Sequence, residues 1–151
     1  MSSSKSPLAQ CEEDLASQRK ELGEGHVDLV PILGRLGLLH QHVSKDLDKA
    51  TACHEEARRI LEDNISDDDP YRETRLESLA ATTIDLATLQ EQKEMYDDSR
   101  RNFVEAQSLL VAVNCPQKVM LMASCRRGLD RISKVCPAVP PPQNCLQNAC
   151  A

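Results

Sequence analysis

Residues 27–62, which decide the fold, read VDLVPILGRLGLLHQHVSKDLDKATACHEEARRILE. Apolar side chains recur every three or four positions on both sides of a short polar turn at 44–46, which places them on one side of each of two helices. We predict helices over 27–43 and 46–62, and Pro31 is tolerated because it lies close to the start of the first. The two apolar stripes contain Leu29, Leu33, Leu36, His40 and Val43, and then Leu47, Ala50, His54, Ala57 and Leu61.

The same periodicity extends to both sides of this stretch. A first helix is predicted over 7–22 and ends at Gly23 and Gly25. Two further helices are expected over 71–92 and 95–111, the earlier one with Asp69 as N-cap and Pro70 at its first position. A last helix follows Pro116 and runs to about residue 134. This series predicts an all-α protein with about six helices, a leader over 1–6, a helical domain over 7–135 and a flexible tail over 136–151.

The two helix pairs share a template. In the first helix of each pair, Leu33, Leu36, Gly37 and His40 correspond to Thr83, Leu86, Ala87 and Gln90. In the second helix, Ala50, His54 and Ala57 correspond to Ser99, Phe103 and Ala106. Small residues at matched places allow two antiparallel helices to approach closely, while larger side chains fill the space between successive pairs.

These template positions resemble the tetratricopeptide consensus, and residues 25–40 look like the helix entry of the kinesin-light-chain subgroup, which uses repeats longer than the usual ~34 residues. The likeness covers residues 8–111 and implies stacked helix pairs in a short α-solenoid. An ordinary helical bundle or an antiparallel coiled coil also fits an amphipathic stripe. The second template copy is what favours the repeat.

The resemblance implies a concave groove, formed by the first helix of each pair, that holds a peptide or helix of a partner protein. Counting from the template, its partner-binding residues are predicted to be Arg35, Leu38, Gln41, His42, Ile84, Asp85, Thr88 and Glu91. Gly34 and Gln92 belong to the same outward faces. Family members that clamp a C-terminal carboxylate use Lys and Asn there, so Arg35 and Asp85 disfavour that mode.

Composition restricts the partners and the compartment. One Phe, two Tyr and no Trp favour helix-on-helix layers, and the net charge of −6 opposes binding to nucleic acid. The N-terminus has no apolar signal region and no stretch is long enough to span a membrane, so we expect a cytoplasmic protein. The seven cysteines are expected to be reduced thiols. A metal or disulfide clip formed by Cys136, Cys145 and Cys150 is the less favoured alternative.

No catalytic or metal constellation is recognised. His40 and His42 lie two positions apart and do not share a helix face, and the acidic loop ending at Asp69 lacks the spacing of a calcium loop. We therefore expect no enzyme activity and no cofactor. The main hypothesis is a cytosolic adaptor. The alternatives are a subunit or inhibitor that docks, or self-associates, through its end near residues 120–129, and a regulator switched by phosphorylation of the leader.

Overall fold

A computed structural model describes residues 5–137, so residues 138–151 of the predicted tail and 1–4 of the predicted leader lie outside the described part. The described chain forms six α-helices and contains no strand, which confirms the prediction of an all-α protein. The helices are α1 (Pro7–Leu22), α2 (Val30–Leu39), α3 (Leu47–Asn64), α4 (Arg72–Gln92), α5 (Tyr96–Val111) and α6 (Lys118–Val135).

Helix α1 has the predicted bounds because both of its ends are marked by local chemistry. The Ser6 hydroxyl accepts a hydrogen bond from the Ala9 N–H at 3.2 Å, and Pro7 occupies the first helical position. The helix ends where Gly23 takes a φ of 94°, a value that favours glycine. Cys11 and Leu15 of the predicted stripe are buried, whereas Leu22 at the last position is 41 % exposed.

The segment predicted as one helix over 27–43 changes its hydrogen-bond pattern twice. A single 3-10 turn, Val27–Leu29, leads into α2, and α2 continues into one π turn, His40–Ser44. The π turn closes where Lys45 adopts a φ of 57°, and the His40 carbonyl accepts the Asp46 N–H at 2.9 Å. The 3-10 turn, α2 and the π turn together, here called the α2 rod, therefore reach the predicted length, but the last turn is wider than an α-helical turn.

The start of α4 differs from the prediction. The helix begins at Arg72, without a side-chain cap from Tyr71, rather than at Pro70. Asp69 still satisfies an N–H of the entering chain, because its carboxylate accepts the Tyr71 N–H at 3.0 Å, and it pairs with Arg75 at 3.2 Å. The first turn after Asp69 is held by the Arg72 N–H donating to the Asp69 carbonyl, which is a tighter pattern than an α-helix.

Each helix packs against the next one along the chain, and α4 also contacts α6. Because the connections are short, neighbouring helices run in opposite directions. Two clusters of buried apolar residues result. One joins α1, α2 and α3 around Cys11, Leu33 and Ile60, and the other joins α4, α5 and α6 around Ala87, Phe103 and Ile132. The predicted pairs 27–43 with 46–62 and 71–92 with 95–111 are thus packed side by side.

Close approach between helices depends on two glycines. A Cβ at Gly37 on α2 would lie 2.5 Å from Nε2 of His54 on α3. A Cβ at Gly128 on α6 would lie 2.3 Å from Cζ of Phe103 on α5. Since real Cβ atoms do not come this near to other atoms, each glycine provides the space for one ring from the neighbouring helix.

Candidate partner-binding surface

The eight residues predicted to bind a partner fall into three groups by exposure. Arg35, Leu38 and His42 on the α2 rod are exposed, with Leu38 at 44 %. Asp85, Thr88 and Glu91 on α4 are partly exposed. We call these six residues the groove face. The remaining two, Gln41 and Ile84, are 7 % and 8 % exposed, so the prediction that they face outward is wrong.

The two errors have separate structural reasons. Gln41 lies in the π turn, where the rotation per residue is smaller than in the uniform α-helix from which its direction was counted. Ile84 belongs to the apolar cluster shared by α4, α5 and α6. Because α6 packs on α4 in addition to α3 and α5, α4 is covered on more sides than the template assumes.

One buried histidine connects the two predicted parts of the surface. The His54 side chain is 1 % exposed, and its ring lies against Gly37 on one side and 3.9 Å from an Asp85 carboxylate oxygen, measured from Nδ1, on the other. A single imidazole of α3 therefore separates α2 from α4.

The electrostatics of this contact are unusual for a surface. Neither ring nitrogen of His54 has a hydrogen-bond partner among residues 5–137. Burial lowers the pKa of His54 to about 4, and loss of hydration raises the pKa of the Asp85 carboxyl to about 6. At neutral pH, the neutral imidazole of His54 therefore lies beneath the Asp85 carboxylate, whose side chain is 43 % exposed.

The groove face continues towards α6 through a salt bridge and a cleft. Both Glu91 carboxylate oxygens accept hydrogen bonds from Arg131 at 2.7 Å, which ties α4 to α6. Beside this bridge is a cleft of about 300 Å³. Its lining combines charged, polar and apolar side chains: Thr88, Glu91, Gln92, Tyr96, Arg131 and Val135.

Half of this cleft was missed by the sequence interpretation. Arg131 and Val135 lie on α6, where the template is not recognisable, and Tyr96 is the first residue of α5. The signal that was present in the sequence is the cationic character of the last helix, since Arg131 lies among four other basic residues of 118–135. Only the packing of α6 on α4 shows that Arg131 reaches Glu91.

A second cleft lies between α3, α4 and α5 and is more polar. It also measures about 300 Å³, and Arg58 of α3 is one of its lining side chains. Arg58 donates to Glu62, to Glu105 and to the side-chain amide oxygen of Asn102, and the Asn102 side-chain NH2 in turn donates to the Gln90 side-chain oxygen at 2.8 Å. These groups satisfy one another, so they join helices rather than present free hydrogen-bonding capacity.

Comparison of the chain with protein-family models and with curated proteins finds no match to either. No helix in the described part of the chain is both long and apolar enough to cross a membrane. Within residues 5–137, no three His, Cys, Asp or Glu side chains are grouped so that they could hold a metal ion. The likeness to tetratricopeptide repeats and to kinesin light chains stays a prediction from the template positions.

Proposed function

We propose that the protein is a non-catalytic adaptor that binds an extended peptide or a helix of a partner along the groove face. The observation that carries the proposal is the position of His54 of α3 between Gly37 and Asp85, because one ring is thereby in reach of both predicted segments, on α2 and on α4. The face mixes the apolar Leu38 with charged side chains of both signs. A peptide can therefore bury apolar area there and be oriented by polar contacts.

The architecture supports the same proposal. Helices that pack each on the next, with small residues where two helices cross, are the arrangement that tetratricopeptide repeats use to expose one helix of each pair to a ligand. The α4 part of the groove face adjoins the cleft beside Arg131, which adds polar and apolar side chains that a peptide can contact. These features support the proposal that the protein is a peptide-binding repeat scaffold.

We propose the cytoplasm as its compartment. Cys11, Cys53, Cys115, Cys125 and Cys136 are free thiols, and Cys11 and Cys125 are buried. Burial raises the pKa of Cys53 to about 11 and also raises that of Cys11 and Cys125, which keeps these groups as unreactive thiols. Unpaired cysteines used as small apolar residues are typical of a reducing environment.

The test starts from peptides selected on the wild-type protein from a random 16-residue phage library, with affinities measured by fluorescence anisotropy. Arg35→Glu combined with Leu38→Asp alters two exposed residues of the groove face. We expect this variant to bind the selected peptides at least tenfold more weakly, which corresponds to about 1.4 kcal/mol.

The matched control is Arg59→Glu combined with Val104→Asp. It makes the same two kinds of change at exposed positions of α3 and α5, away from the groove face. The control is expected to bind like the wild type. Unchanged binding by the Arg35 and Leu38 variant, or an equal loss in both variants, would remove the groove face from consideration.

A further inference from the structure

Helix α6 has a charge opposite to that of the rest of the chain. It contains five of the 18 Lys and Arg residues but one of the 24 Asp and Glu residues. Its own net charge is therefore positive in a protein whose total is −6. A cationic helix at one end of an acidic molecule attracts acidic partners to that end.

The outward side of α6 combines these charges with exposed apolar side chains. Cys125, Gly128 and Ile132 face the core, and the opposite side of the helix carries Val119 and Met120, which are 79 % and 73 % exposed. We define the outer α6 face by the residues that lie on this opposite side at helical spacing: Val119, Met120, Ala123, Arg126, Arg127, Asp130 and Lys134. Its first half is apolar, and its second half carries three cations and one carboxylate, so that it is positive overall.

Three cations of this face, Arg126, Arg127 and Lys134, form no salt bridge within the described part of the chain. Among residues 5–137, no carboxylate, including that of Asp130 on the same face, lies within salt-bridge distance of Arg126, Arg127 or Lys134, and Arg127 donates a hydrogen bond to the Ser124 hydroxyl at 3.2 Å. Arg131, by contrast, donates a hydrogen bond to Glu91 of the groove face. Residues 136–151 contain no Asp or Glu side chain.

We propose that the outer α6 face binds an acidic amphipathic helix of a partner protein. The apolar residues of that helix cover Val119 and Met120, and its Asp or Glu side chains pair with Arg126, Arg127 and Lys134. Helix recognition of this kind obtains its affinity from apolar anchors and its orientation and association rate from charges. This surface is separate from the groove face and does not depend on it.

A second copy of the chain fits this face less well than such a partner. Helix α1 is the acidic end of the molecule, and Glu12 and Glu21 are exposed on it. However, Leu22 is the single large apolar residue that α1 exposes, and Glu13 already pairs with Lys5 at 2.6 Å. Helix α1 therefore offers carboxylates without the apolar anchors that Val119 and Met120 require.

The probe is a fluorescein-labelled, synthetic 18-residue amphipathic helix with Leu on one side and Glu on the other. The comparison peptide has Lys in place of every Glu. We expect saturable binding of the Glu peptide in fluorescence anisotropy, at least tenfold weaker binding of the Lys peptide, and a loss of affinity as salt rises. Equal affinity for both peptides, or no binding of the Glu peptide, overturns the proposal.

Two variants locate the binding site. Arg126→Glu with Arg127→Glu, and separately Val119→Asp with Met120→Asp, are each expected to weaken binding of the Glu peptide at least tenfold. The charge-matched control, Lys20→Glu with Arg59→Glu, changes exposed cations on α1 and α3 and is expected to stay within twofold of the wild type. An equal loss in the control shows general electrostatic attraction and contradicts a defined site.

Two further outcomes assign the face differently and would also overturn the proposal. If Arg35→Glu with Leu38→Asp abolishes peptide binding while the α6 variants do not, the peptide occupies the groove face, and the proposed function stands without this inference. If light scattering shows a dimer that the α6 variants dissociate, the occupant is a second copy of the chain. A monomer whose α6 variants lose the Glu peptide supports the proposal.

Discussion

At the scale of single residues, the contact between His54 and Asp85 joins two opposite pH effects. The pKa of His54 is lowered to about 4. As pH falls, the unfolded chain therefore binds a proton at His54 near pH 6.5, whereas the folded protein binds it only near pH 4. The pKa of Asp85 is raised to about 6. The folded protein therefore binds a proton at Asp85 near pH 6, whereas the unfolded chain binds it only near pH 4. As pH falls from 6 to 4, His54 destabilises the fold and Asp85 stabilises it.

Replacing Asp85 by Asn therefore exposes the acid sensitivity caused by His54. Because His54 is 1 % exposed, its shift corresponds to about 3 kcal/mol lost between pH 6.5 and pH 4. We expect the free energy of unfolding of Asp85→Asn, measured with urea, to fall more steeply over this range than that of the wild type. Asp130→Asn, on the exposed side of α6, serves as the control and should follow the wild type. Parallel curves for Asp85→Asn and the wild type would contradict the assignment.

Replacing glycine by alanine is expected to have opposite effects on stability at Gly34 and Gly37, which lie three positions apart on α2. A Cβ at Gly37 would lie 2.5 Å from the His54 ring, whereas a Cβ at Gly34 has nothing within 4 Å. Gly37→Ala is expected to cost about 1–3 kcal/mol because the buried ring has to move. Gly34→Ala is expected to stabilise the protein by about 0.5–1 kcal/mol, since alanine favours the helix. Urea denaturation of both variants measures the difference, and effects of the same sign would show that the ring does not occupy this space.

At the scale of helices, the sequence predicts what local chemistry determines and fails where packing decides. The bounds of α1 follow from Ser6, Pro7 and Gly23, which act within one turn of each helix end. The direction of Gln41 depends on a π turn, and the burial of Ile84 depends on α6 lying over α4. Periodicity within a single helix contains neither piece of information.

The glycine in α6 illustrates such a packing effect and provides the next test. Gly128 is placed against Phe103 of α5, and a Cβ there would lie 2.3 Å from the ring. We expect Gly128→Ala to cost about 1–3 kcal/mol and Phe103→Leu about 1–2 kcal/mol. The double variant is expected to lose less than the sum by at least ~0.5 kcal/mol, because leucine vacates part of the space that the new methyl group needs. Additive losses in a double-mutant cycle would show that α5 and α6 do not meet at these two residues.

At the scale of the whole molecule, the same periodicity that predicts an all-helical chain leaves its binding surfaces undetermined. Arg35 and Leu38 could be identified from the template because they lie on the exposed side of one helix. The cleft beside Arg131 and the outer α6 face could not, since both require the position of α6 relative to α4 and α5. Surfaces formed between helices are a property of the stack, whereas stripes are a property of each helix.

The stack also predicts how the protein loses structure. Leu33 belongs to the cluster of α1, α2 and α3, and Leu110 belongs to the cluster of α4, α5 and α6, at 1 % and 0 % exposure. Leu33→Ala and Leu110→Ala are a matched pair, and each is expected to cost about 2–5 kcal/mol.

In a quasi-one-dimensional stack, helices far from the cavity keep more of their protection than helices beside it. Native-state hydrogen exchange should therefore be accelerated most in α1–α3 by Leu33→Ala and most in α4–α6 by Leu110→Ala. The exposed ion pair between Lys93 and Asp48, at 2.7 Å, adds little coupling between the two halves, at about 0–1 kcal/mol. The same acceleration in all six helices for both variants would mean that the molecule unfolds as one cooperative unit, in which contacts between α3 and α4 are as strong as those within each cluster.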